Sequence, residues 1–394
     1  MKFLYSILFL VVFSYSEAQS SWRFIVLGDT HVGSSDTVAE MIPFMLEDSV
    51  EFVAVVGDLV EGGLGTPGTQ LLQELETWKS IFSPLYNSGI PVYGLRGNHE
   101  NDANNDINIW NTAFSDNYSF PQNGPIGEEN LTYAVTHKNA KLLFLDVYKN
   151  IHQVNQNWLN NQLDTNTRQH VFSFGHEAAF KVFHADCLDD SLNARNVFWN
   201  SLSSAGCRVY FCGHDHFLDA SLVDNGDGNA SNDVYQYLVG TGGGWLMSQY
   251  SNYNGNNGPF VPNRLFHEME FGYALVEVSD LSNPSCQVKI NWKRRTQNGS
   301  GIQTYQLSEH EILIESCSNG LNESNSIELK VFPNPSNGRV YFNSPLLLPI
   351  ILMDTYGKVL ISLPENSTSF STEGFAPGIY FIKNQHQTFP IAVQ

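Results

Sequence analysis

Short apolar runs recur through the first half of the chain, and a glycine and a polar side chain follow each of them closely. Runs of this length, rich in Val, Ile and aromatic residues, are typical of buried strands. The pattern therefore predicts five strands that each end at a glycine turn: residues 24–27, 52–56, 91–95, 170–174 and 208–211.

Apolar residues at helical spacing separate several of these runs. In residues 35–48, Val38, Met41 and Met45 fall on one face of a helix. The same spacing predicts helices over residues 71–85, 154–163 and 194–203. Strands that alternate with helices indicate an α/β fold. Further strand-type runs complete a second sheet: residues 131–135, 141–147, 234–239, 271–278 and 287–292.

Three polar segments interrupt this pattern. The Asn-rich residues 102–122 predict an irregular insertion near a cleft. The glycine-rich residues 62–68 predict a flexible loop, with a share in the rim of the cleft as the alternative. Residues 224–233 predict a turn between strands, with a calcium loop as the less favoured alternative because the glycine spacing is not that of an EF-hand.

The composition shifts near the C-terminus. Residues 308–326 are polar and predict a linker, although Ile312 to Ile314 could add a short strand. Short strand-type runs with close turns then predict a small antiparallel β-sandwich over residues 327–394. A chain of 394 residues is long enough for these two domains.

The charge balance bears on the class of partner. The chain has 40 acidic and 20 basic residues, which gives a formal net charge of -20. Such a protein is not steered toward long polyanions, so nucleic acid is disfavoured as a partner. A small phosphorylated substrate stays compatible, because bound metal cations invert the local field.

The N-terminus has the features of a secretory signal. Lys2 supplies the positive region, residues 3–13 are apolar, and Ser16 and Ala18 are the small residues before a cleavage site. We therefore expect residues 1–18 to be a signal peptide and Gln19 to start the mature chain. The alternative is an uncleaved anchor, but the apolar run is short for a membrane span, and we expect no span in the mature protein.

Five cysteines allow disulfides in an exported protein but leave at least one unpaired. The pairing cannot be deduced from the spacing, and a bond from Cys187 to Cys207 or to Cys212 is the weakly favoured choice. None has the CxxC spacing of a zinc site.

Metal-ligating side chains follow each of the five glycine turns. Taken alone, Gly-Asp or Gly-Asn after a strand is usually just a turn. However, the carboxyl ends of strands in an open α/β sheet form the ligand-binding edge, so five such turns together indicate a site. Carboxylate, amide and imidazole groups suit manganese, iron(II) or zinc. The residues are Asp29, His31, Asp58, Asn98, His99, His176, His214 and His216.

These turns resemble the ordered signature of the calcineurin-like metallophosphoesterase family, over about residues 22–295. The resemblance implies a four-layer α/β/β/α sandwich, which we place at residues 19–307. The matching motifs are Asp29-Thr30-His31, Gly57-Asp58, Gly97-Asn98-His99-Glu100, Gly175-His176 and Gly213-His214-Asp215-His216.

The resemblance also implies two divalent metal ions. In the family pattern one ion is held by the counterparts of Asp29, His31, Asp58 and His216. Asp58 bridges to a second ion, which is held by the counterparts of Asn98, His176 and His214.

The implied reaction is hydrolysis of a phosphate ester by a hydroxide that bridges the two metals. His99 is implied to be the general acid that protonates the leaving group, while Glu100 either orients His99 or caps the turn. The motifs do not decide between monoesters and diesters. The alternatives are a secreted nuclease, which the acidic charge disfavours, and a non-catalytic surface protein with a relict site, which the complete ligand set disfavours.

The chain departs from one branch of this family, the purple acid phosphatases. Those enzymes have a tyrosine ligand to iron(III) three residues after the aspartate that corresponds to Asp58, and here that position is Glu61. They also have glycine where His31 stands. A purple iron(III) centre is therefore not expected.

The C-terminal region resembles the sorting domain of the type IX secretion system. The matching residues include the Pro-Asn-Pro stretch at 333–335, residues 354–358 and Gly378-Ile379-Tyr380. The resemblance implies contact with the secretion machinery and a location outside the cell or on its outer surface.

Two further segments could border the site. His184 and Asp186 could contact substrate, although a solvated loop histidine is the favoured interpretation. Trp245, Tyr250 and Tyr253 could form an aromatic wall, with structural packing as an equal alternative.

Overall fold

The structure is a computed structural model, and the chain divides into two compact units, residues 1–320 and 321–394. The predicted signal peptide, Tyr250, Cys286 and Cys317 lie outside the residues that the structure describes. Those residues are 21–248, 252–280, 287–314, 331–332, 334–336, 338–342, 350–355, 358–364, 367–383 and 388–394.

The first unit contains thirteen strands and six α-helices among its described residues. In chain order the strands are β1 (Ser21–Leu27), β2 (Phe52–Val55), β3 (Val92–Gly94), β4 (Tyr133–His137), β5 (Ala140–Phe144), β6 (His170–Phe174), β7 (Val209–Cys212), β8 (Leu218–Asp224), β9 (Val234–Val239), β10 (Val261–Glu268), β11 (Gly272–Ser279), β12 (Val288–Gln297) and β13 (Gln303–Ile314). The helices are α1 (Thr37–Glu47), α2 (Gly68–Asn87), α3 (Asn98–Asn101), α4 (Asp106–Ala113), α5 (Gln156–Asp164) and α6 (Leu192–Ser204).

The strands form two mixed sheets. The first has the order β13-β12-β11-β1-β2-β3, in which β1, β2 and β3 are parallel. The second has the order β10-β8-β9-β7-β6-β5-β4, in which β5, β6, β7 and β9 are parallel. The parallel strands of each sheet carry the glycine turns at their carboxyl ends.

The two sheets pack face to face through aromatic side chains. The ring of Phe24 on β1 stacks on Phe52 at 4.7 Å and meets Phe172 and Phe211 of the second sheet at 5.3 and 6.4 Å, between ring centroids. Buried aromatic rings are a large source of stabilising apolar contact. The inner layers of the predicted sandwich are therefore present.

Helices cover the outer face of each sheet. On α1 and α2, side chains such as Met41 and Trp78 are buried in the same core as the first sheet. On α5 and α6, Leu159 and Trp199 are buried with Tyr210 of the second sheet. The four-layer α/β/β/α prediction is confirmed.

Two boundaries differ from the sequence prediction. Residues 106–113 were expected within an irregular insertion, but they form α4. This helix buries Trp110 next to Phe114. The ring of Phe114 in turn lies 5.9 Å from that of Trp78, between centroids. The predicted linker was placed too early, because residues 308–314 continue β13. There Ile312 and Ile314 are buried at a spacing of two and pair with Ile290 and Val288 of β12.

The described cysteines of the first unit are not bonded to one another. Cys187, Cys207 and Cys212 are free and buried, so the weakly favoured disulfide is wrong. Within the described ranges, no helix is both long and apolar enough to cross a membrane.

The second unit is all-β where it is described. Its strands form two antiparallel sheets, which share buried side chains such as Val340, Leu352, Phe370 and Ile382. This arrangement matches the small all-β domain expected at the C-terminus. The first sheet is β14-β15-β18 and the second is β17-β16-β19-β20, from β14 (Val331–Phe332), β15 (Arg339–Phe342), β16 (Ile350–Met353), β17 (Val359–Leu363), β18 (Ser369–Ser371), β19 (Gly378–Lys383) and β20 (Thr388–Val393).

Candidate metal centre

The loops after β1, β2, β3, β6 and β7 converge at the carboxyl edges of the two sheets. Six of the seven side chains predicted as ligands lie in these loops and Asn98 starts α3, and the structure brings all seven into two adjoining clusters. His99, the predicted general acid, lies beside both clusters, with its Nε2 4.0 Å from Oδ2 of Asp58.

The first cluster comprises Asp29, His31, Asp58 and His216, whose candidate ligand atoms all lie within 4.8 Å of one another. Nε2 of His31 is 3.1 Å from Nε2 of His216 and 3.6 Å from Oδ2 of Asp58. Nε2 of His216 is 3.4 Å from Oδ1 of Asp29. Two carboxylates and two imidazoles therefore converge on one small volume, as a divalent ion requires.

The second cluster comprises Asp58, His176 and His214, again with ligand atoms within 4.8 Å. Nε2 of His176 is 3.3 Å from Oδ2 of Asp58 and 3.2 Å from Oδ1 of Asn98, so the amide predicted as a ligand lies here too. Asp58 belongs to both clusters, as the bridging carboxylate of a two-metal site would.

Hydrogen bonds at the far side of the rings leave Nε2 available. Nδ1 of His176 donates to the carbonyl of Val56 at 2.7 Å, and Nδ1 of His216 donates to the carbonyl of Trp245 at 2.9 Å. Such partners fix the tautomer and orientation of a metal-ligating imidazole.

Glu61 plays the corresponding part for His31. Its Oε2 lies 3.1 Å from Nδ1 of His31 and accepts a hydrogen bond from the hydroxyl of Ser34 at 2.6 Å. The sequence prediction singled out Glu61 only as a departure from the purple acid phosphatase pattern. Its contact with His31 depends on the fold, so no local sequence signal could have found it.

The backbone of the site is held in unusual conformations. Four non-glycine site residues have a positive φ: Asp29 at 58°, His31 at 44°, Asp58 at 47° and His214 at 71°. Such left-handed conformations cost about 1–3 kcal/mol each and persist where the surroundings impose them, often at functional sites.

Two motif glycines make room for the carboxylates. A Cβ at Gly97 would lie 2.0 Å from Oδ1 of Asp58, and a Cβ at Gly213 would lie 2.2 Å from Oδ2 of Asp29. Both distances are far below van der Waals contact, so these two positions require glycine.

Main-chain donors fix the carboxylates in place. Both oxygens of Asp29 accept from the N–H of His214 at 2.9 and 3.1 Å, and Oδ1 of Asp58 accepts from the N–H of His99 at 3.0 Å. Each strand-end loop is thus tied to another one, so the two sheets hold the site jointly.

Glu100 ties two of the loops together. Its buried carboxyl accepts from the N–H of Gly97 at 2.7 Å and from the N–H of Val60 at 3.0 Å. The ring of His99 is instead oriented by its Nδ1, which hydrogen-bonds the carbonyl of Glu61. Of the two roles considered for Glu100, these contacts support the capping of the turn.

The carboxylates dominate the electrostatics. Burial opposes the ionisation of Asp58, yet His176, His99 and His31 hold the pKa of this carboxyl well below its usual range. Conversely, burial lowers the pKa of His176, but the charge of Asp58 outweighs it and raises the pKa to about 10. The site is therefore built to hold positive charge.

One buried atom points directly to a metal ion. Nε2 of His214 forms no hydrogen bond within the part of the chain that the structure describes. Oδ2 of Asp186 lies 3.5 Å away, so this imidazole nitrogen beside His176 and Asp58 lacks a close partner and fits a cation held there. The residues present therefore fit divalent ions.

The loop with His184 and Asp186 borders the second cluster. Nδ1 of His184 lies 2.7 Å from Oδ1 of Asp215, and its ring lies 4.4 Å from that of His214, between centroids. Oδ2 of Asp186 is 3.5 Å from Nε2 of His214. His184 is a partly exposed loop histidine, as predicted, but its tertiary contacts place it beside the second cluster, and contact with substrate stays a prediction.

The other bordering segments differ from one another. The N–H of Gly63 donates to the carbonyl of His99 at 2.7 Å, so the glycine-rich loop does border the site, which was the less favoured alternative. Trp245 is 86% exposed beside His216, whereas Tyr253 is buried and bonds Asp219, as structural packing predicts.

Comparisons with known proteins agree with this geometry. Residues 23–218 match the family model described as calcineurin-like phosphoesterase, and residues 330–391 match that of a secretion system C-terminal sorting domain. A relative, tartrate-resistant acid phosphatase type 5 of Rattus norvegicus, is 23% identical over 242 residues, which are 53% of this chain and 71% of the relative.

Two solved structures share the fold. The purple acid phosphatase PPD1 from yellow lupin (Lupinus luteus) seeds has a TM-score of 0.55 and 14% identity, over 77% of this chain and 55% of that one. PhoD has a TM-score of 0.50 and 15% identity, over 75% of this chain and 70% of that one. At these identities the likeness concerns the fold alone.

Proposed function

Because the chain belongs to the calcineurin-like phosphoesterase family through residues 23–218 and is a metal-dependent phosphoric ester hydrolase, we propose that it hydrolyses small phosphate esters at a centre of two divalent ions. The observation that carries this proposal is Asp58, whose carboxylate belongs to both ligand clusters. Two-metal phosphoesterase sites use such a shared ligand to hold the ions close together.

The proposed assignment follows the two clusters. Asp29, His31, Asp58 and His216 would hold one ion, and Asp58, Asn98, His176 and His214 the other. The mixture of carboxylate, amide and imidazole ligands favours manganese, iron(II) or zinc. When bound, the ions supply Lewis-acid activation of water and neutralise the charge of the phosphoryl oxygens.

His99 is proposed as the general acid. Its Nδ1 is held by the carbonyl of Glu61, so Nε2 faces the centre, and the side chain is 27% exposed and within reach of a leaving group. The main-chain N–H of His99 also supports Asp58, which fixes the imidazole relative to both clusters. A proton delivered from this ring would convert the leaving alkoxide to an alcohol.

The centre is proposed to differ from that of purple acid phosphatases, although such a phosphatase shares the fold. Glu61 stands where those enzymes have the tyrosine ligand, and its carboxylate contacts Nδ1 of His31. Iron-loaded protein should therefore show no tyrosinate absorption band.

The sorting domain indicates a secreted or cell-surface protein and implies an interaction with the secretion machinery. We propose that the hydrolase acts outside the cell and that the C-terminal domain serves its export. A centre that gathers positive charge in a chain of net charge -20 suits small phosphate esters better than long nucleic acids.

The test uses the full chain, stripped of metal and reloaded with manganese, iron or zinc. We would assay para-nitrophenyl phosphate and bis-para-nitrophenyl phosphate with the wild type and with Asp58→Asn. The proposal expects metal-dependent turnover that Asp58→Asn abolishes, and the ratio of the two rates separates monoester from diester chemistry. Two bound ions without turnover on either ester would overturn it, and rapid digestion of plasmid DNA would favour a nuclease.

A further inference from the structure

Tyr148 carries a buried hydroxyl that the proposed chemistry does not use. The residue is 9% exposed and follows β5, whose carboxyl end lies beside that of β6 in the second sheet. Its ring lies 6.1 Å from the ring of His176, between centroids. Across the described residues, the hydroxyl finds no hydrogen-bond partner, as is also true of Nε2 of His214. The rings of both residues lie next to that of His176, at 6.1 Å for Tyr148 and 5.2 Å for His214, between centroids.

The position of Tyr148 is tied to the ligand loops. Oδ1 of Asp146 accepts the main-chain N–H of Tyr148 at 3.0 Å, and Oδ2 of Asp146 accepts from Nε of Arg96 at 2.9 Å. Arg96 directly precedes Gly97 and Asn98 in the loop after β3. This buried ion pair fixes the tyrosine relative to Asn98, so its location is built into the site.

The nearby carboxylates do not satisfy the hydroxyl, although their charges reach it. Tyr148 lies near enough to Glu177 and Asp58 for their charges to act on it, and its phenol donates through the O–H. The carboxylate of Glu177 is hydrogen-bonded to Nδ1 of His152 at 2.9 Å, and that of Asp58 accepts from the main-chain N–H of His99. A hydroxyl that lies beside the candidate ligands and finds no acceptor among the described residues can take one from a bound molecule.

We propose that the Tyr148 hydroxyl donates a hydrogen bond to a phosphoryl oxygen of the substrate on the His176 side of the centre. This inference rests on the proposed function and deepens it, because it assigns a phosphate-binding residue beyond the ligand set. The hydroxyl is buried, and its ring neighbours His176, so we assign its acceptor to an oxygen bound at the centre. A phosphoryl oxygen there is anionic and matches an O–H donor.

The experiment compares Tyr148→Phe with Tyr305→Phe in the full, metal-loaded chain. Tyr305 is a matched control, because its buried hydroxyl also has no hydrogen-bond partner among the described residues, while its ring packs against Phe44 and Tyr273, away from the site. The readouts are the Kd of inorganic phosphate by calorimetry, the metal content, the Tm, and KM and kcat for para-nitrophenyl phosphate.

Loss of a hydrogen bond to a charged acceptor predicts that Tyr148→Phe weakens phosphate binding about 10- to 100-fold and raises KM similarly. Metal content should stay unchanged and the Tm should not fall, because the removed hydroxyl has no hydrogen-bond partner in the part of the chain that the structure describes. Tyr305→Phe should leave phosphate affinity unchanged.

Phosphate affinity within twofold of the wild type in Tyr148→Phe would overturn the inference, as would equal effects of the two variants. A fall in kcat with unchanged phosphate affinity would also overturn it, because it would assign the hydroxyl to the attacking water. If the wild type binds phosphate in a Tyr148-dependent way but hydrolyses no ester, the inference stands and the proposed hydrolysis fails.

Discussion

Strand β6 has one histidine at its start and another just past its end, and the two imidazoles lie in opposite electrostatic surroundings. His170 starts the strand, and burial lowers the pKa of its imidazole to about 4. His176 lies just past the other end, where the charge of Asp58 outweighs burial and raises the pKa of the imidazole to about 10. Burial alone therefore disfavours the charged ring and lowers the pKa of the imidazole. At the end of the strand with carboxylates, the pKa is raised instead.

This contrast locates the function within the fold. The turns after β1 and β2 bring Asp29 and Asp58 to the carboxyl edge, and each aspartate is held by main-chain N–H groups of a neighbouring loop. The start of β6 has no such turn, and there the N–H of His170 pairs with the carbonyl of Asn139. One strand thus carries a structural histidine at its start and a candidate metal ligand at its end.

The largest predicted effect comes from removing the charge that distinguishes the two ends. Asp58→Asn should bring the pKa of His176 in the metal-free protein down toward its ordinary value of 6.5. It should also release both ions and abolish hydrolysis, because both clusters lose their shared carboxylate. NMR titration of the imidazoles and metal analysis check these outcomes.

Asp48→Asn is the control for this change, because Asp48 pairs with Lys293 and belongs to neither cluster. It should leave the pKa of His176 and the metal content as they are. A pKa of His176 that stays near 10 in Asp58→Asn would contradict the assignment of its cause to that carboxylate.

A second prediction distinguishes His99, the proposed general acid, from the histidines at the carboxyl edge that are proposed as metal ligands. His99→Ala should keep both ions but lower kcat by about 10²- to 10⁴-fold for an alkyl phosphate, whose leaving group needs a proton. The loss should be much smaller for para-nitrophenyl phosphate, because its leaving group departs readily as an anion. Equal losses on the two esters, or a loss of metal, would contradict a general-acid role.

A third prediction concerns the partner of His31. Glu61→Gln should weaken binding of the ion held by His31 by about 10- to 100-fold, because the carboxylate that orients the ring becomes a neutral amide. Competition with a chelator measures this change. Glu51→Gln is the control, since Glu51 contacts His137, a histidine that belongs to neither cluster. Equal weakening of both ions would argue against a local role for Glu61.

The smallest predicted effect lies at the start of β6. The unfolded chain takes up a proton on His170 below about pH 6.5, while the folded chain resists it until about pH 4. Stability from this group is therefore present above pH 6.5 and lost as the pH falls toward 4, by about 1–2 kcal/mol after allowance for partial exposure.

His170→Gln should remove that part of the pH dependence of the free energy of unfolding, measured with denaturant in metal-free protein. His137→Gln serves as the control, because His137 is partly exposed and pairs with Glu51. An unchanged slope between pH 6.5 and 4 in His170→Gln would contradict the prediction.

What could be predicted from the sequence depended on how local the signal was. The strand-end turns are local, because an apolar run, a glycine and a ligand are consecutive in the chain, and the structure brings all seven predicted ligands together. The α/β class followed from the same runs and the helical spacing between them, whereas the four-layer arrangement was implied by the family resemblance of the turns. The strand-end turns and the helical spacing are both contained in short stretches of sequence.

The features that were missed depend on contacts between distant residues. Glu61 meets His31 across two loops, and His184 reaches His214 from a different loop. Helix α4 has a mostly polar sequence and is held by the burial of Trp110, while the last residues of β13 are held by their pairing with β12. Periodicity within a segment cannot reveal a partner outside it.

The left-handed backbone at Asp29, Asp58 and His214 has an evolutionary consequence. At each of these positions a glycine would adopt the same backbone without the steric penalty, so loss of the ligand and relief of strain coincide. A descendant freed from selection for hydrolysis would gain stability from the very substitutions that inactivate it. In such lineages the chemistry would disappear first, while the fold and its export persisted.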